Sequence, residues 1–158
     1  MTRTLIIAAA LLGLTACDRG APAPKAGTST VQVTDAICRP TPKGRQTTGC
    51  YMTLTAAADD RLTGVSSPVA SRVQIHESRM ESNMMMMHPM EGGLPLPSGQ
   101  TVALAPGGNH LMLLGVGEPL VAGDTVALTL TFESSPPLQV TATVGQPETT
   151  GYETAPAS

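Results

Sequence analysis

Tryptophan is absent, and aromatic residues amount to only 2% of the 158: Phe132, Tyr51 and Tyr152. Charged residues are scarce too, at 13% with a formal net charge of −3. A nucleic-acid binder displays a basic stripe and aromatic stacking platforms, and this chain has neither. Nor does it carry a nucleophile elbow, paired carboxylates or a hard-metal cluster, so the sequence reads as a non-enzyme. Hydrophobic residues still reach 41%, which with so little charge argues against long disorder. The length suits one ordinary domain and is short for two. Methionine stands where aromatics are missing: there are nine.

The chain opens MTRTLIIAAALLGLTAC. One basic residue, Arg3, precedes an apolar run from Leu5 to Leu14, then small residues and Cys17. The run is too short for a spanning helix and reads as a signal peptide over 1–16. Its ending, Leu14-Thr15-Ala16-Cys17, resembles the lipobox of bacterial lipoproteins, which implies acylation of Cys17 and a tether outside the cytoplasm. Asp18 resembles an inner-membrane retention signal of enteric bacteria, favouring the inner membrane where that rule applies. Residues 17–30 then form the acylated Cys and a linker of Pro, Ala, Gly, Ser and Thr, a composition unable to bury enough surface to order itself. Residues 145–158 have the same character and are expected to form a flexible tail.

Cys38 and Cys50 remain. In an oxidising compartment the default for such a pair is a disulfide, here stapling neighbouring strands across a turn-rich segment. A thiolate metal site is the weaker reading, because no His lies near either Cys and the spacing is not C-x-x-C.

Between 31 and 144 the pattern has a period of two. Val126, Leu128, Leu130 and Phe132 alternate with Ala127, Thr129 and Thr131, and Val140, Ala142 and Val144 with Thr141 and Thr143. β-Branched and apolar positions facing a Thr-rich side are what half-buried strands require. Further strands are expected at 31–38, 48–56, 69–77, 100–105 and 110–116, punctuated by Pro40, Pro42, Pro95, Pro97, Pro106 and Gly107-Gly108. After the signal no stretch shows a convincing helical period. The class is all-β, a sandwich.

One window stands apart. From Met80 to Met90 there are six of the nine methionines, with His76 just before them and His88 among them, and the third histidine opens His110-Leu111-Met112. Imidazole and thioether together select Cu(I), or its mimic Ag(I), over hard ions. Thioether also neither titrates nor forms a disulfide. His110 and Met112 are i and i+2 and share a strand face, while Val73 and Ile75 point away from Gln74 and His76. Core filling is the bland reading of a Met cluster, yet four consecutive methionines, Met84–Met87, cannot all enter a core.

The segments Arg61–Ala70, Val73–Glu77, the Met-rich turn, Glu91–Leu94, Pro106–Leu113 and Gly123–Glu133, with Tyr51–Thr55, together resemble the periplasmic copper chaperones called PCu(A)C over 31–144. The resemblance implies a cupredoxin-like Greek-key β-sandwich of about seven to eight strands. It also implies one exposed Cu(I) site of two His and two Met: His76, Met87, His110 and Met112. His76 and Met87 have the family's spacing, but the next gap is one residue longer than the family pattern, and Met85, Met86 and Met90 compete with Met87. His88-Pro89-Met90 departs from the pattern; Met85, Met86, His88 and Met90 form a candidate auxiliary site, for Cu(II) or a second ion.

The function these residues imply is that of a monomeric carrier, which takes Cu(I) outside the cytoplasm and yields it by ligand exchange. By resemblance the recipient is the copper centre of cytochrome c oxidase or its assembly factors. The alternative is a lipoprotein that sequesters copper without delivering it. A blue-copper electron carrier would need a Cys thiolate close to a His, which neither Cys38 nor Cys50 has.

Overall fold

A computed structural model describes residues 30–147. The expected acylation site, Cys17, the signal peptide, all of the linker but Thr30, and the tail from residue 148 lie outside them. Ten strands follow one another: β1 (Val31–Cys38), β2 (Thr47–Ala56), β3 (Asp60–Ser66), β4 (Ala70–Glu81), β5 (Met84–Pro89), β6 (Leu94–Leu96), β7 (Thr101–Leu104), β8 (His110–Val116), β9 (Thr125–Phe132) and β10 (Leu138–Val144). No helix occurs among the described residues.

The strands form one continuous sheet in the order β5-β4-β8-β2-β1-β10-β9-β3-β6, with β7 pairing the second half of β2. The sheet wraps on itself into a cupredoxin-like sandwich, and the core lies between its two halves. Leu54, Leu111 and Leu113 bring fully buried side chains from one half, and Leu62, Val126 and Leu130 from the other. In β9 every second residue is buried, Val126 through Phe132, as the period-two pattern requires. One methionine, Met52, fills the core.

The halves meet at β1, which pairs antiparallel with β2 and, at Ile37 and Cys38, parallel with β10. A bulge between Thr34 and Ile37, with Asp35 at φ 55°, turns β1 from one neighbour to the other. Just past the bulge Cys38 and Cys50 are register partners joined by a disulfide, both fully buried. Packing continues past Val144: the Gly145 amide donates to the Cys38 carbonyl at 2.9 Å, and Pro147 is buried.

Ten strands exceed the seven or eight expected, and each addition has a local reason. β3 carries a register shift between Leu62 and Gly64 that breaks its alternation. It is pinned at its start by the Asp60 carboxylate, which accepts hydrogen bonds from the Ser134 and Ser135 amides and the Ser135 hydroxyl. β6 is three residues around Pro95 at the edge of the sheet, the place where a strand tolerates proline. β5 is the Met-rich segment itself, and it corrects the expectation of a loop there. Ser82 and Asn83, with φ of 50° and 63°, make a two-residue turn of the primed kind. β4 and β5 therefore form a hairpin, from Glu81↔Met84 to His76↔Pro89.

Candidate metal centre

β4 pairs with β8 from Ala70↔Val116 to His76↔His110 and no further. Gly115 keeps the two strands close, since a Cβ there would stand 2.6 Å from the Ser71 hydroxyl oxygen. Beyond His76, β4 is paired only with β5, so residues 77–81 and 84–88 form a two-stranded ribbon standing out from the sandwich. The two histidines thus sit opposite each other at the ribbon's root. Their ring centroids are 5.8 Å apart at an interplanar angle of 60°.

Alternation sorts the remaining candidates between two faces. Gln74, His76, His110 and Met112 share the outer face, because Gln74 opposes Met112 and His76 opposes His110. Met85 and Met87 lie on that same face, opposite Met80 and Ser78. Met84, Met86 and His88 lie on the other, opposite Glu81, Arg79 and Glu77. The Met90 amide donates to the Ile75 carbonyl at 2.8 Å, and its side chain packs against the core. Of the four methionines competing for the site, Met87 is the exposed one nearest His76 on its face, two residues from Pro89, the partner of His76. The expected auxiliary set is therefore divided: Met85 on one face, Met86 and His88 on the other, Met90 against the core.

Burial grades across the site. His110 is 5% exposed, Met112 and His76 are half-buried, and Met87 is 55% exposed. The resemblance implies an exposed site, but its floor is covered. Tyr51 lies beside His110, ring centroids 6.4 Å apart, and the Arg39 guanidinium sits 5.7 Å from the Tyr51 centroid. Tyr51 finds room because Gly49, two residues back on β2, lacks a side chain: a Cβ there would meet the Tyr51 hydroxyl oxygen at 2.9 Å. Sequence reasoning misses this Arg39–Tyr51 wall. Its one signal is Tyr51 as one of only three aromatics, and the pairing of β2 with β8 that places it is long-range.

Hydrogen bonds orient the two rings. His110 Nδ1 is 3.0 Å from the Gly108 carbonyl oxygen; a carbonyl only accepts, so Nδ1 is the donor, and Nε2 is the nitrogen this bond leaves unengaged. His76 Nε2 is 3.3 Å from Gln74 Oε1, and His76 Nδ1 is buried with no hydrogen-bond partner. Buried polar atoms are ordinarily satisfied, so an unpartnered imidazole nitrogen beside a second histidine is a vacant donor. Burial, and secondarily the proximity of His110, lower the His76 pKa below the ordinary 6.5. The ring therefore stays neutral, and able to ligate, into mildly acidic solution.

That shift gives a measurable expectation. An NMR titration of the metal-free protein should place the His76 midpoint below 6.5. The unfolded chain takes up this proton first, so His76 removes stability as pH falls from 6.5 to the folded midpoint, and no further below it. A midpoint at or above 6.5 would contradict the burial of the ring.

On the opposite face His88 Nε2 lies 3.1 Å from Glu81 Oε1, at ion-pair distance but without hydrogen-bond alignment. Arg79 engages Glu77. Among the described residues no three His, Cys, Asp or Glu side chains converge on a point. The donors that register places on the outer face are imidazole and thioether.

A family model described as "Putative lipoprotein LpqE-like" matches residues 31–144. The chain belongs to the LpqE-like family. Among its relatives, "Putative lipoprotein Lxx21020" of Leifsonia xyli subsp. xyli (strain CTCB07) is 34% identical over 136 residues, 84% of this chain and 82% of the relative. Solved structures similar to this LpqE-like chain include PCuAC domains. The copper-bound PCuAC domain from PmoF2 aligns with a TM-score of 0.62 at 26% identity, covering 74% of this chain and 93% of that domain. Two solution structures of DR1885 from Deinococcus radiodurans also align. The apo form has a TM-score of 0.55 at 29% identity, covering 91% of this chain and 95% of its own. The Cu(I) form has 0.53 at 30%, covering 77% and 83%.

Proposed function

We propose that this LpqE-like protein is a copper-binding chaperone that holds Cu(I) through His76, Met87, His110 and Met112. The observation that carries the reading is the His76–His110 pair. Two imidazoles face each other, one with a vacant buried Nδ1, on the face that also carries Met87 and Met112. Every donor is neutral and soft or borderline, the set that selects Cu(I). The copper-bound PmoF2 domain supports copper as the ion, and the Cu(I) form of DR1885 supports its oxidation state.

His110, buried and oriented by the Gly108 carbonyl, is the fixed anchor, while Met87 on the projecting ribbon is the ligand an acceptor reaches first. Delivery would proceed by ligand exchange: an incoming donor displaces Met87, then Met112, and the histidines release last. Copper remains Cu(I) throughout, and the site accounts for binding and transfer rather than catalysis. The lipobox-like ending at Cys17 and the lipoprotein relatives support an anchored protein outside the cytoplasm. The recipient favoured by family resemblance is the copper centre of cytochrome c oxidase or its assembly factors.

A second reading, sequestration without delivery, is favoured by one observation: Met80 and Met84–Met87 are all exposed, more thioethers than one ion needs. Incubating the Cu(I)-loaded protein with an apo copper-centre fragment of the oxidase separates the two. A chaperone metallates the fragment; a buffer keeps its copper while a small chelator of matched affinity still withdraws it.

A further inference from the structure

The two faces of the β4–β5 ribbon differ in chemistry. On the outer face the cross-strand pairs run Met80↔Met85 at the tip, Ser78↔Met87, then Pro89↔His76 at the root. No residue on it is charged, and three thioethers occupy two successive rungs. On the opposite face each methionine opposes a charged side chain, Met84 with Glu81 and Met86 with Arg79. Met80, Met85 and Met87 are 63%, 41% and 55% exposed. They therefore do not fill the core, and large apolar side chains clustered in water call for a reason.

We propose that Met80 and Met85, with Met87, form a second and weaker Cu(I) station at the ribbon tip, continuous with the His76–His110 site. This rests on the Cu(I) reading of that site. Directly opposed residues on one face have Cβ atoms about 4.5–5.5 Å apart, and long side chains also reach the diagonal neighbour. Thioethers at Met80 and Met85 can thus converge on one ion, with Met87 completing a three-sulfur set of the kind Cu(I) accepts. The register is fixed by the Ser82-Asn83 turn; a slip of one residue would turn Met85 and Met87 away from Met80 and bring Met84, Met86 and His88 to its face. Met87 is common to both stations, so it can leave the tip set and join the histidines carrying the ion with it. No proton or electron moves, because thioethers do not titrate and copper stays Cu(I). The gradient favours inward travel: three weak thioethers at the tip, two imidazoles at the root.

The test uses the full mature chain labelled at the methionine ε-methyl carbons, titrated with Cu(I) under a competing chelator and, separately, with Ag(I). The first equivalent is expected to shift the His76 and His110 ring signals with the Met87 and Met112 methyls. A second, weaker equivalent, held by Met80 and Met85 while Met87 serves the first ion, is expected to shift those two methyls. The variant Met80→Leu/Met85→Leu changes only exposed positions; it should melt with the wild type, keep the tight equivalent, lose the second and load more slowly. Binding of a single equivalent by the wild type, Met80 and Met85 methyls that stay still, or a double variant that still takes two equivalents would overturn the proposal. Failure of the main site is read elsewhere, in histidine signals that do not move at the first equivalent.

Discussion

Replacing His110 with alanine is expected to lower Cu(I) affinity by more than about 100-fold, the largest loss of any single substitution at the site. Changes to groups that merely orient a metal ligand cost about 10–100-fold, and His110 would be a ligand in its own right. It is also the most rigid of the donors. It is buried, its Nδ1 proton is held by Gly108, and Tyr51 stands beside it under Arg39. A donor already fixed in place loses little freedom when the ion arrives, so its removal forfeits more than that of a swinging thioether. Met87→Leu, on the exposed ribbon, should cost much less. Met86→Leu and Met90→Leu should cost least, one lying on the opposite face and the other against the core. Competition titrations of the four variants give the ranking. A loss at Met86 or Met90 equal to that at Met87 would mean that hairpin register does not select the ligand.

Removing the disulfide should produce the largest loss of stability. Cys38 and Cys50 are separated by 12 positions, and closing a loop of that size stabilises the folded state by about 3 kcal/mol in the chain-entropy view. The double variant Cys38→Ala/Cys50→Ala should therefore melt roughly 10–15 °C below the wild type. The location amplifies the effect, since the bond ties β1 to β2 just past the bulge that turns β1 toward β10. Scanning calorimetry reads the shift, and a change under about 1 kcal/mol would show that the ladder holds the junction unaided. The folded variant should still bind Cu(I). Loss of binding in that folded state would instead implicate the thiols as ligands.

Much of the sandwich was legible because its strands obey one rule. β1, β8 and β9 stand within a residue of their expected bounds, and β9 alternates cleanly from end to end. β3 was hidden by the register shift between Leu62 and Gly64, and β6 by Pro95, which reads as punctuation. β5 was hidden by its own uniformity, since a run of methionines has no polar partner to show a period. Yet the turn was present in the sequence: Ser82-Asn83 as a two-residue connection puts Met87 on the His76 face by counting alone. The resemblance puts His76 and His110 in one site, but their direct opposition on one rung was not legible, because a register between strands separated by β5, β6 and β7 depends on contacts far apart in the chain. Nor was the burial of His110, which depends on Tyr51 from a third strand.

The most direct test of the central claim is one NMR experiment on the mature protein at one equivalent of Cu(I). Shifts are predicted at the rings of His76 and His110 and the ε-methyls of Met87 and Met112, with the His88 ring and the Met86 methyl unmoved. Copper that instead moved His88 and Met86 while leaving His110 still would place the ion on the opposite face of the ribbon and contradict the proposed site.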